Sequence, residues 1–153
     1  MNMSKSFVAA LLVAAAPLTM VIADQPPADA KPILKIVEQL ENQGYGPFIE
    51  LSFDDGVWEV EVYRQDTPYE LAVDPRSGEI LSEHRDDAEP RPPRDALPLS
   101  KILRTLEKKG YNRISEVSFE RRYWEIELLR ADGKHEIHVS PKTGEVIHDR
   151  LDD

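Results

Sequence analysis

"VDPRSGEIL" (73–81) and "VSPKTGEVI" (139–147) stand sixty-six residues apart, with Pro, Gly and Glu of the turn in matching places. Pro75 presets the backbone dihedral of the second residue of a type I turn, and Gly78 supplies a left-handed residue that closes it. Asp74 offers a carboxylate to the amides of its own turn. Pro141, Gly144 and Ser140 do the same in the second stretch, with a hydroxyl in place of the carboxylate. Turn chemistry accounts for each shared residue except the Glu after the glycine. The stretch reads as the last hairpin of a folding unit, used twice.

Working outward from that turn, residues 32–87 align with 98–153 without insertion or deletion, with 22 identities over 56 pairs. Pro32/Pro98, Gly44-Tyr45/Gly110-Tyr111, Phe53/Phe119 and Trp58-Glu59/Trp124-Glu125 are among them. A gap-free match of this length means two copies of one unit. The prolines and charges of "EHRDDAEPRPPRDA" (83–96) read as the connection between them. The boundaries expected are a tail at 24–31, a first unit at 32–84, a linker at 85–96 and a second unit at 97–153.

Each copy opens with a helical pattern. Ile33, Ile36, Val37 and Leu40 fall at i, i+3, i+4 and i+7, and Leu99, Ile102, Leu103 and Leu106 repeat the stripe. Pro32 and Pro98 suit a helix start, and Gly44 and Gly110 suit its left-handed end. The period then changes to two. Ile49, Leu51 and Phe53 alternate with polar neighbours, as do Trp58, Val60 and Val62 with Glu59 and Glu61. "YELAV" (69–73) and the shorter "GEILS" (78–82) follow, and Asp55-Gly56 and Asp132-Gly133 mark hairpins. The expected fold is α+β: two tandem units, each one helix packed on a three- to four-stranded antiparallel β-meander. Such a helix covers one face of its sheet and leaves the other free.

The chain has 153 residues and a formal net charge of −10. That excess works against nucleic acid and anionic membrane surfaces, which are bound through Lys and Arg. The absence of cysteine excludes disulfides, thiolate metal sites and a Cys nucleophile. Lys5, the apolar run "FVAALLVAAA" (7–16) and the small residues ending at Ala23 read as a signal peptide over 1–23, with cleavage expected after Ala23. A retained membrane anchor is the weaker alternative, because the run is short for a bilayer and Pro17 interrupts it. Removing Lys5 with it takes the charge from −10 to −11. The mature protein is expected in the periplasm or outside the cell.

"WEVEVYRQDTPYELAVDPRSGEIL" (58–81) and "WEIELLRADGKHEIHVSPKTGEVI" (124–147), each after a helix and a Gly-Tyr pair, resemble the PepSY domain. The repeat unit is similar, too, to that of beta-lactamase inhibitory protein. The resemblance implies inhibitory or regulatory binding without catalysis. Ser140 departs from the family's Asp, which Asp74 retains, and Arg121-Arg122 stands in place of the Asp55-Gly56 turn. No peptidase domain follows in the chain, so a protease target is expected to be a separate molecule.

The remaining chemistry is sparse. No G-x-S-x-G elbow, H-E-x-x-H pair or phosphate-binding glycine loop occurs. His135 and His138, three apart on a strand, point to opposite faces and cannot share a metal. His138 can approach His148 across the last hairpin, in copy two alone, since Ala72 and Ser82 are the counterparts. Surface histidines without a ligand role are expected, with no cofactor and no metal. Glu59, Glu61 and Glu70 share one sheet face, and Glu125, Glu127 and Glu136 repeat them. Tyr63 and Leu129 lie on that face as apolar contacts. Trp58 and Trp124 fall on the opposite, helix-covered face. These eight glutamate-face residues are the candidate surface for an extracytoplasmic protein partner. The alternative is a periplasmic sensor responding to a metal or small ligand.

Overall fold

A computed structural model of the chain describes residues 25–152. The signal segment expected at 1–23 lies outside the described residues. The elements run α1 (Ile33–Asn42), β1 (Phe48–Asp54), β2 (Val57–Arg64), β3 (Thr67–Val73), β4 (Ile80–Arg85), α2 (Leu99–Lys108), β5 (Ile114–Phe119), β6 (Trp124–Arg130), β7 (Gly133–Val139) and β8 (Val146–Leu151).

The two halves share one antiparallel sheet of eight strands in the order β4-β3-β2-β1-β5-β6-β7-β8. Each half is a meander, and the halves meet where β1 pairs with β5, setting Glu50 opposite Ser118, Leu51 opposite Val117 and Ser52 opposite Glu116. Because the matching strands pair antiparallel, the repeat becomes an approximate two-fold arrangement about this central pair.

The helices form where the apolar stripes predict. Ile36, Val37 and Leu40 of α1, and Ile102 and Leu106 of α2, are fully or nearly fully buried against the sheet. Neither helix has a side-chain N-cap, since Pro32 and Pro98 hold those positions. Glu41 supplies the missing acceptor across the helix pair, taking a hydrogen bond from the Ser100 amide at 3.2 Å. A carboxylate at a helix N-terminus also offsets the helix dipole. Glu38 pairs with Arg104 alongside, so the helices run antiparallel. The core beneath them is centred on Trp58 and Trp124, each edge-on to Phe53 or Phe119 with ring centroids 5.4 and 5.3 Å apart. Truncating either tryptophan to Ala costs about 3–5 kcal/mol.

The turn chemistry appears as expected. Asp74 Oδ1 accepts from the amides of Arg76 and Ser77 at 2.9 and 2.7 Å, while Ser140 Oγ accepts from Lys142 and Thr143 at 3.3 Å each. Both hydrogen-bonded turns close through Gly78 and Gly144, with φ of 75° and 72°.

The stretch between the halves does more than join them. The Lys31 amide donates to the Pro75 carbonyl at 2.8 Å, and the Leu97 amide donates to Pro141 at the same distance. Asp29 pairs with Arg76, and Asp95 pairs with Lys142, each at 2.7 Å. Pro26-Pro27, Asp29 and Ala30 recur as Pro92-Pro93, Asp95 and Ala96. A short strap therefore begins each half and docks on that half's last turn. Residues 92–96 belong structurally to the second copy. Their signal, a recurring Pro-Pro-x-Asp-Ala, was present in the sequence but masked by its linker-like composition.

Candidate functional site

The helices cover one side of the sheet, so the alternate residues of every strand line the other, open side. Cross-strand pairing orders them into two rows. One runs His84, Glu70, Glu61, Glu50, Ser118, Glu125, His138 and His148, from β4 across to β8. The other runs Ser82, Ala72, Glu59, Ser52, Glu116, Glu127, Glu136 and Arg150. Three successive glutamates thus stand side by side in each half: Glu70-Glu61-Glu50 in the first and Glu116-Glu127-Glu136 in the second.

The two halves neutralise this charge differently. In the second, Lys134 pairs with Glu127 at 2.7 Å, and Arg150 grips Glu136 through two hydrogen bonds of 2.6 and 3.1 Å. These bonds hold the Glu136 carboxyl below its ordinary range despite burial. The matching positions in the first half are Pro68 and His84. Among the described residues no basic side chain forms an ion pair with Glu50, Glu59, Glu61 or Glu70. Burial, and then repulsion from Glu61 and Glu116, raises Glu50 to about 7. Burial also raises Glu61, with Asp86 and Glu89 adding to it. Glu116 and Glu125 are pushed up mainly by burial as well. The first half of the open face is a row of unpaired carboxylates ready to accept positive charge or hydrogen-bond donors.

The expected surface residues distribute unevenly. Glu59 and Glu70 are exposed, and Glu61, Glu125, Glu127 and Leu129 are half-buried. Tyr63 corrects the expectation of an open aromatic contact: it is only 5% exposed. The chain after β4 folds over it, its hydroxyl donates to the Glu89 carbonyl at 2.9 Å, and Arg91 lies 4.7 Å above its ring. Glu136, 9% exposed and held by Arg150, is likewise not a free contact. Glu50 and Glu116, central to the face, were missed. The residue is identical in both copies, which was a signal, but a β-bulge before each of them, between Phe48 and Glu50 and between Ile114 and Glu116, breaks the simple alternation expected at Ile49.

His135 and His138 do point to opposite sides. His135 is buried beside the core, with Asp149 at 2.7 Å and Asp132 at 3.1 Å from its ring nitrogens. His138 is on the open face beside Glu125 and Glu136, under Tyr123, whose ring stacks 4.1 Å away. On the helix side, each strap and the end of the opposite helix enclose a cleft. The one over Trp58 measures about 460 Å³ and the one over Trp124 about 760 Å³.

The sequence matches the family described as peptidase propeptide and YPEB domain over residues 5–84 and again over 86–150. The chain belongs to this PepSY family. Among solved structures the chain is similar to a candidate lipoprotein from Clostridium difficile 630, at 13% identity and a TM-score of 0.43, over 78% of this chain and 91% of that one. A candidate periplasmic protein from Bacteroides eggerthii is similar at 13% identity and a TM-score of 0.29, over 83% and 89%. A DUF2874 family protein from Bacteroides uniformis gives 14% and 0.28, over 81% and 88%. No curated protein matches the sequence.

Proposed function

We propose that the protein is an exported, non-enzymatic binding module that regulates a protein partner outside the cytoplasm through the open face of its sheet. The observation that carries this is the row Glu70-Glu61-Glu50, adjacent carboxylates without cationic partners on the uncovered side of a rigid sheet, two of them partly desolvated. Such a row favours a partner presenting Lys or Arg, which would relieve the repulsion and steer the encounter. The family's description as a peptidase propeptide supports an inhibitor-like or sensor-docking role. No helix among the described residues is long and apolar enough to cross a membrane.

Affinity capture from a periplasmic extract tests the proposal. Proteins enriched by the wild type should be lost with Glu50→Gln, Glu61→Gln and Glu70→Gln combined. They should be retained with an equal charge change elsewhere, at Asp55, Glu79 and Glu107. Equal retention by both variants would remove the face from consideration.

A further inference from the structure

His138 sits among metal-donor atoms on the open face of the second half. Its Nε2 lies 3.0 Å from Glu136 Oε1 and 3.5 Å from Glu125 Oε2, and the three donor atoms are all within 4.8 Å of one another. A tetrahedral zinc ion with ligands at its usual bond lengths needs donor atoms about 3.3 Å apart, close to these separations. His148 is directly across from His138 on β8, and the two rings lie 5.3 Å apart. The exposed His148 is thus the nearest candidate for a fourth donor, and it would have to change rotamer to join the group.

The supports are rigid. Glu125, His138 and His148 fall in one cross-strand row on three neighbouring strands, and Glu136 precedes His138 by two on the same face. Tyr123 fixes the His138 ring plane by stacking. Arg150 orients the Glu136 carboxylate, as hydrogen-bond partners of ligating carboxylates commonly do. Each carboxylate oxygen has a second lone pair, so Glu136 can accept from Arg150 and still coordinate.

The first half provides a control inside the same chain. It keeps both carboxylates, as Glu59 and Glu70, but has Ala72 and Ser82 where the histidines stand. The histidines are thus specific to one copy, on a face whose acids are common to both. We propose that Glu125, Glu136, His138 and His148 form a single site for a divalent transition ion of the zinc type. Two imidazoles favour such ions over calcium or magnesium.

Calorimetric titration of the untagged protein with Zn²⁺ tests this, with the absorption of bound Co²⁺ reporting geometry. One equivalent should bind, with intense tetrahedral Co²⁺ bands, and excess Mg²⁺ should not displace it. His138→Ala should weaken binding by about 100-fold or more and His148→Ala by about tenfold, while His84→Ala leaves it unchanged. Circular dichroism checks folding, and the exposed His148 provides the second variant should His138→Ala unfold. Absence of saturable Zn²⁺ binding, or binding that survives both substitutions, overturns the proposal.

Discussion

The amide of Leu97 donates to the carbonyl of Pro141 at 2.8 Å, tying the start of the second half to its own last hairpin. The turn that marks the repeat is therefore also the dock for the strap that opens each copy.

Replacing residues 92–96 with a Gly/Ser sequence should accordingly lower stability in urea by about 1–3 kcal/mol, because buried Pro92 and the Asp95–Lys142 pair are lost. Changing only Asp87 and Ala88 to Gly and Ser should alter stability little, since both side chains are exposed. Equal effects would return 85–96 to the status of a plain linker.

Gly78 and Gly144 have the same left-handed backbone but different surroundings. A Cβ at Gly78 would stand 2.4 Å from Gln39 Oε1, whereas at Gly144 its nearest neighbours are 3.9 Å away. Both Ala substitutions cost about 1–2 kcal/mol for the left-handed backbone. Gly78→Ala should be the more destabilising in denaturant melts and should also disturb the Gln39–Gly78 hydrogen bond.

Glu50 titrates at about 7, above its ordinary 4.5. A carboxyl raised on folding favours the folded state below its unfolded value, and that contribution disappears as pH rises through the folded one. Stability should thus fall between pH 4.5 and about 7 on its account. Glu50→Gln should raise stability above pH 7 by about 1–2 kcal/mol, allowing for screening of a half-exposed group, and have little effect near pH 4. A gain independent of pH would contradict a buried, repelled charge as its cause.

Hydrogen bonding to Asp149, aided by Asp132, raises the His135 imidazole above its ordinary 6.5. The sign follows from linkage: the stabilisation is complete below 6.5 and is lost as pH rises through the higher folded value. Wild type and His135→Gln should differ more in denaturation midpoint at about pH 5 than at about pH 9. The imidazole proton resonances of His135 should titrate above 6.5, and a midpoint below it would refute the assignment.

Much of this fold was legible because its patterns are local. The stripes of Ile33–Leu40 and Leu99–Leu106, the alternation around Trp58 and Trp124, and the Pro–Gly turns each depend on near neighbours. The joining of β1 to β5 was not legible, since edge pairing of two meanders leaves no mark on the alternation of either strand. The exposure of Tyr63 was not legible for a related reason. Alternation puts it on the correct sheet face, but burial by Glu89 and Arg91 comes from chain twenty-six and more residues away. The carboxylate face was partly legible, and its charge imbalance became apparent only when Lys134 and Arg150 were seen beside Glu127 and Glu136.

Backbone amide shifts of the isotope-labelled protein, followed as the captured partner is added, examine the proposed binding face most directly. Perturbations should centre on Glu50, Glu59, Glu61 and Glu70 of β1, β2 and β3 and should weaken with added salt. Perturbations centred on α1 and α2, with these strands silent, would contradict binding through the open sheet.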